Sequence, residues 1–328
     1  MGIKVGFTDM FPEALHPTIA AALPDGWIYE VTAAPTEEAI TKVARESDIL
    51  LFGGALFTDA TLEAARRLRF IQKLGAGYNT LNMDLLKARG ITVARLAGNN
   101  AVTVAEHAIL LMLAVYRHLA DADRSVRAGD WYKEEARALN REIRGKTVGV
   151  VGMGAIGRSV AARLRAFEAG VIYYDVRRAE PELEAALGIE YVALEDLLRR
   201  ADIVTLHIPL FPETEGLINR ERLGLMKHDA VLINCARGDI VDEPALVEAL
   251  REGRLYGAGL DCFAHEREGG SAPFWGLRNV VLSPHIAGAS LENFDSMIER
   301  AFSNAQKFVD GQPLPEVDLI WAPTMAKP

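Results

Sequence analysis

A chain of 328 residues, half of them hydrophobic and a quarter charged, has the composition of an ordinary globular protein of about two domains. Its net charge of −9, with no local block of Lys and Arg, removes the electrostatic basis for binding nucleic acid or an anionic membrane. Two cysteines, Cys235 and Cys262, exclude a disulfide framework, lack metal-ligand spacing and point to a reducing compartment.

The chain opens on "MGIKVGFTD", a strand-like alternation rather than a basic segment followed by an apolar signal core, so the cytoplasm is the expected location. Strands are predicted near "IKVGFT", "DILLFGG", "RFIQKLG" and "ITVAR", with helical patterns such as "TDATLEAARRL" and "NMDLLKARG" between them. Alternation of this kind builds a doubly wound parallel sheet and sets the class as α/β. "NNAVTVAEHAILLMLAVYRHLADADRSVRAGDW" then reads as one long helix, capped by its Asn and Thr residues and ended by Gly129. It is apolar over most of its circumference, and its "AILLMLAVY" run is far short of the roughly 20 residues that cross a bilayer. A helix buried on several sides fits a subunit interface, so a homodimer through residues 101–130 is expected.

Six further strands are predicted at "TVGVVGMG", "GVIYYD", "DIVTLHI", "AVLINCA", "YGAGLDCF" and "VVLSPHI", a second and larger doubly wound sheet. The "ASLENFDSMIERAFSNAQKFVDG" segment is one more amphipathic helix, stopped by Gly311 and Pro313, and "GQPLPEV" is a loop.

The first of these six strands runs directly into Gly152, Gly154 and Gly157, a helical pattern follows, and Asp175 ends the next strand 18 residues after Gly157. That context makes the glycines a dinucleotide turn: Gly152 for the tight bend, Gly154 for close approach of a pyrophosphate and Gly157 for helix–strand packing. Asp175 would accept the ribose hydroxyls and repel a 2′-phosphate, which favours NAD over NADP. Arg177 and Arg178 could instead receive a 2′-phosphate if the loop turned them inward. Arg237, Asp261 with Glu266, and His285 each follow a later strand, and the C-terminal strand ends of an open parallel sheet form its ligand crevice.

At this point the sequence resembles the D-isomer-specific 2-hydroxyacid dehydrogenase family, through "LGAGYN" (74–79), "NNAVTVAEHA" (99–108), "VGMGAIG" (151–157), "HIPLFPETEGLI" (207–218), "NCARGDIVDE" (234–243), "GAGLDCFAHE" (257–266) and "SPHIAG" (283–288). The resemblance implies a flavodoxin-like substrate domain, residues 1–100 plus 287–328, and a Rossmann NAD-binding domain, residues 101–286. It implies that Arg237 binds the substrate carboxylate and carbonyl, that His285 is the acid/base, and that Glu266 is its acidic partner. Ala76 and Gly77 would supply backbone donors to the carboxylate. The cofactor set would extend to Ala155, Ile156, Arg177, His207, Pro209, Thr214, Cys235, Ala236, Asp261, His285 and Gly288, with no metal. The chemistry is coherent, because a guanidinium grips a 2-oxo acid bidentately and an imidazole beside a carboxylate keeps a proton available near neutral pH.

One departure from the family pattern stands beside the acid: Arg267 occupies the place where proline is usual. His265 is a second proton carrier of lower rank, since neighbouring side chains on an extended segment point to opposite sides. His107 and His207 are read as structural hydrogen-bonding residues, and His16, His118 and His228 as surface residues. Phe52, Leu56 and Phe57 either line an apolar substrate pocket or belong to the core. The implied reaction is NAD-linked interconversion of a small 2-oxo acid and its D-2-hydroxy acid. The alternatives are an NAD-sensing dimeric regulator of the corepressor type, which the absence of a long polar tail disfavours, and oxidation of phosphite or formate. Formate-oxidising members pair the His with Gln, so Glu266 counts against formate.

Overall fold

The computed structural model describes residues 2–54, 58–78, 80–266 and 271–323. Its first five strands are β1 Lys4–Phe7, β2 Ile28–Val31, β3 Ile49–Phe52, β4 Phe70–Lys73 and β5 Thr92–Ala94. Seven follow: β6 Thr147–Val151, β7 Gly170–Tyr174, β8 Ile189–Tyr191, β9 Ile203–Leu206, β10 Val231–Asn234, β11 Gly257–Leu260 and β12 Val280–Leu282. The last is β13, Leu319–Trp321.

The chain divides into two compact units, Met1–Asn99 with Ser290–Pro328, and Asn100–Ala289. The sequence suggested boundaries at 100/101 and 286/287. Residues just past 286 stay with the second unit because the Ala287 N–H donates to the Asp261 carboxylate at 2.8 Å.

In the first unit the six-stranded sheet runs β13-β5-β4-β3-β1-β2, parallel except for β13. Its β2-β1-β3-β4-β5 portion has the flavodoxin-like order. Period-2 alternation sends Leu50 and Phe52 to a core layer with Leu62, Ile71 and Leu86, while Ile49 and Leu51 join Val5, Phe7, Phe70 and Phe302 on the opposite face. Phe52 is therefore a core residue, 1% exposed. Leu56 and Phe57 lie outside the described residues.

The second unit holds a seven-stranded sheet ordered β12-β11-β10-β9-β6-β7-β8, and all its strand pairs are parallel. The chain reverses its direction of winding between β6 and β9, the switch point at which open α/β sheets take their ligands. Central strands are long apolar runs buried on both faces, as the helices on both sides require.

Three strands were not predicted from the sequence: β2, β8 and β13. All lie at a sheet edge, and their partial exposure interrupts the apolar run on which the prediction relied. The single helix predicted across 101–130 is also corrected. It is two helices, Ala101–Tyr116 and Leu119–Arg127, bent by 63°. The break is at His118, whose φ of 46° lies in the left-handed region and whose Nε2 is 2.9 Å from the Tyr256 hydroxyl. Nor does a side chain cap the first helix, since Asn100 sits at its N-cap without a side-chain bond. Among the described residues no single helix is long and apolar enough to cross a membrane.

Candidate active site

Three glycines after β6 are needed for three different reasons. Gly152 has φ 98°, and a Cβ there would lie 2.6 Å from the His207 carbonyl oxygen at the end of β9. A Cβ on Gly157 would stand 2.0 Å from the Gly152 carbonyl oxygen, so the helix Ala155–Leu164 could not approach the strand. Gly154 differs: a Cβ would meet nothing within 4 Å, and as the N-cap it makes no side-chain bond. The first-turn N–H groups of Ala155 and Ile156 thus sit at a helix N-terminus beside open space, with the macrodipole favouring an anion.

Asp175 follows β7 and joins this turn. Its Oδ2 accepts from the Met153 N–H at 2.7 Å and its Oδ1 from the Arg177 N–H at 3.0 Å. An open cradle for phosphate and a carboxylate at the next strand end are what a dinucleotide needs, so these residues fit NAD.

Around the switch point, His207 is a neutral structural residue. Burial drives its pKa down to about 3, Nε2 lies 2.9 Å from Thr205 Oγ1, and Nδ1 is buried without a partner. The Thr214 hydroxyl folds its own loop, donating to the Pro209 carbonyl at 2.7 Å and accepting from the Phe211 N–H at 2.8 Å.

The turn after β10 is set by Asn234, which the sequence reading passed over. Its Oδ1 accepts from the Ala236 N–H at 3.0 Å and its Nδ2 donates to the Arg237 carbonyl at 2.8 Å. Arg237 is half-buried and donates through Nη1 to the Ala236 carbonyl at 2.6 Å. Cys235 and Cys262 are unpaired thiols, and burial pushes both well above the usual thiol range.

His285 and Glu266 meet directly. Nδ1 of the imidazole lies 2.7 Å from Glu266 Oε1 and 2.9 Å from Oε2. Burial raises the Glu266 pKa, but the His285 bond and its charge, the Phe263 N–H and the charge of Arg237 outweigh it and hold the carboxyl below its ordinary range. Arg237 is thus close enough to act electrostatically on Glu266. With Nδ1 engaged, Nε2 is the ring nitrogen left for a substrate.

The imidazole owes its position to a turn that Asp261 assembles. His285 has a left-handed φ of 54°, a conformation that non-glycine residues adopt only when their surroundings enforce it. The buried Asp261 carboxylate accepts from Ser283 Oγ at 2.6 Å, from the Ile286 N–H at 3.0 Å and from the Ala287 N–H at 2.8 Å. The Asp261 carbonyl accepts from the His285 N–H at 2.8 Å. His107 completes the set, with Nε2 2.9 Å from Ser283 Oγ and 3.5 Å from Asp261 Oδ1. Burial raises the Asp261 pKa, yet these donors bring it below the usual carboxylate range.

Beneath Glu266, the Ala264 N–H donates to Glu243 Oε1 at 3.0 Å, and burial raises the Glu243 pKa. A Cβ on Gly238 would clash with Phe263 at 2.0 Å, so the loops after β10 and β11 approach as closely as backbone allows. Gly288 lies against Asn100, whose Nδ2 would be 3.2 Å from an added Cβ.

Ala76 and Gly77 belong to the first unit, on the loop after β4 that Gly75 turns with φ 155°. Arg267 and Glu268 lie outside the described residues. His265 is exposed, His228 is exposed beside Asp229, and His16 is half-buried near the Tyr29 ring. His16 and His118 correct the expectation of surface residues, since both are half-buried, and burial lowers the pKa of His118. Among the described residues, no cluster of His, Cys, Asp and Glu is arranged to hold a metal ion.

Residues 109–287 match the family described as D-isomer specific 2-hydroxyacid dehydrogenase, NAD binding domain. Two relatives align over 87% of the chain: a glyoxylate reductase of Korarchaeum cryptofilum, 38% identical and covered over 86% of its length, and a D-3-phosphoglycerate dehydrogenase of Mycobacterium leprae, 40% identical and covered over 54%. The chain thus spans about half the length of the phosphoglycerate dehydrogenase it matches. A solved D-lactate dehydrogenase of Aquifex aeolicus, in complex with NAD and lactic acid, superposes with a TM-score of 0.85 at 27% identity, covering 98% of this chain and 100% of that one. The chain belongs to the D-isomer specific 2-hydroxyacid dehydrogenase family, and its second unit contains the NAD-binding domain.

Proposed function

We propose that the protein interconverts a small 2-oxo acid and its D-2-hydroxy acid with NAD(H), using His285, Glu266 and Arg237. The observation that carries this reading is the 2.7 Å bond between His285 Nδ1 and Glu266 Oε1 on a turn held in a left-handed conformation.

When bound, the nicotinamide supplies hydride to the carbonyl carbon or takes it back. In the reducing direction His285 gives its Nε2 proton to the carbonyl oxygen as negative charge develops there, and Glu266 stabilises the imidazolium and fixes the ring. In the oxidising direction the neutral ring takes the hydroxyl proton. Arg237 grips the carboxylate and polarises the carbonyl, which a planar guanidinium does better than an ammonium. The loop carrying Ala76 and Gly77 offers backbone N–H donors suited to a carboxylate. Asp261 and His107 position His285 without touching substrate. Ala155, Ile156 and Gly154 serve the pyrophosphate and Asp175 the ribose.

The substrate side is tested by following NADH consumption with a panel of 2-oxo acids from glyoxylate upward, with phosphite and formate run against NAD in the oxidising direction. Turnover on at least one 2-oxo acid is expected; turnover on phosphite or formate alone removes the reading. We further propose a homodimer through the bent 101–127 helix pair, where Val102, Leu110, Leu119 and Val126 are each at least half exposed.

A further inference from the structure

The loop after Asp175 carries two arginines, and they are held differently. Arg177 donates its backbone N–H to Asp175 Oδ1 at 3.0 Å and its side chain is exposed. The Arg178 guanidinium forms a two-pronged pair with Glu184, Nε to Oε1 and Nη2 to Oε2, both at 2.9 Å, and lies 5.6 Å from the centre of the Tyr191 ring.

Glu184 is itself anchored. Its side chain is 13% exposed, and Oε1 accepts from the Tyr173 hydroxyl at 2.7 Å. That phenol oxygen in turn accepts from the Ala179 N–H at 2.8 Å, and Tyr173 belongs to the buried core of β7. The Arg178 guanidinium and the Tyr173 hydroxyl hold the Glu184 carboxyl down at about 2, so the anchor is anionic at any working pH. The clamp is therefore fixed to the sheet and does not swing with the arginine.

We infer that Glu184 is a cofactor-specificity residue: by clamping Arg178 it withholds a guanidinium from the position of a ribose 2′-phosphate and, with Asp175, keeps the site selective for NAD over NADP. A site for the 2′-phosphate needs an arginine near the ribose, and arginine binds phosphate with paired donors. Asp175 disfavours that phosphate by like charge, while Glu184 acts by occupying the cation that would welcome it. Selectivity is a difference of two affinities, and both carboxylates act on the NADP side of it. The inference rests on the NAD reading of the glycine turn. Arg178 is 63% exposed, so once released it can turn without repacking the core.

Fluorescence titration gives the dissociation constants of NADH and NADPH for the wild type, Glu184→Gln, Glu184→Ala and Glu184→Ala/Arg178→Ala, with a Tm for each. A pair whose guanidinium is mostly exposed is modest in strength, so the expected change is about fivefold. In Glu184→Ala the Kd for NADPH falls by about that factor while the Kd for NADH stays within about twofold, and adding Arg178→Ala removes the gain. Glu184→Gln shifts the ratio in the same direction and decides the matter if Glu184→Ala has a lowered Tm. The inference is overturned if the wild type binds NADH but both Glu184 variants leave the NADPH-to-NADH ratio unchanged, or if the gain persists without Arg178. A wild type that binds neither nucleotide overturns the NAD reading itself.

Discussion

Glu266 is where charge and geometry coincide. Its carboxylate is ionised at neutral pH because His285 and Arg237 favour the charged form more than burial opposes it. Its folded pKa lies below that of the unfolded chain, so the stability it contributes is present above the ordinary glutamate value of about 4.3 and is lost as pH falls through the lowered value. For catalysis, Glu266→Gln keeps a hydrogen-bonding group beside His285 Nδ1 and removes the charge. We predict that kcat/KM for 2-oxo acid reduction falls by about 100-fold and that the alkaline limb of its pH profile moves to lower pH. A profile that keeps its shape and merely drops would mean that Glu266 only orients the ring. The pairing of Glu266 with His285, and Arg237 as a neighbouring charge, were legible in the sequence because each of the three follows a strand in a motif like those of this family. Asn234, Ser283 and Glu243 were not, since their work is done by hydrogen bonds to backbone or to side chains distant in sequence, which no local pattern records.

Among the elements, the turn from Ser283 to Ala287 decides whether His285 is in place. Replacing Asp261 by Ala leaves the Ile286 and Ala287 N–H groups without their acceptor and the Ser283 hydroxyl with His107 alone, and an unsatisfied donor costs about 1–3 kcal/mol where it is buried. We predict a loss on the order of 3 kcal/mol in chemical denaturation of Asp261→Ala, whereas a loss under about 0.5 kcal/mol would show that the turn holds without it. The central strands were readable because burial on both faces makes them continuous apolar runs. Edge strands β2, β8 and β13 were not, because solvent on one side breaks that signal. The bend at His118 left no trace either: neither Gly nor Pro marks it, and the partner that fixes it, Tyr256, lies 138 residues away.

For the molecule as a whole, two doubly wound sheets follow from the alternation of strand and helix signals along the chain, and the switch point of the second puts Gly152 beside His207. For the proposed homodimer through the 101–127 helix pair, light scattering is predicted to give twice the 35.8 kDa mass of one chain. Exchanging Leu110 and Val126 for Glu should then yield a monomer; a wild-type monomer in dilute solution would contradict the interface. The proposed reaction, hydride from NADH to one face of the carbonyl carbon of a 2-oxo acid with a proton from His285 to its oxygen, is tested most directly by measuring NADH consumed and D-2-hydroxy acid formed, with the product resolved by chiral chromatography. The wild type is predicted to give one D-product per NADH, and His285→Ala still to bind NADH while turnover falls by about 100-fold or more. Contradiction would come from His285→Ala retaining the wild-type rate, or from a wild type that binds NADH yet turns over no 2-oxo acid, as a nucleotide-sensing regulator would.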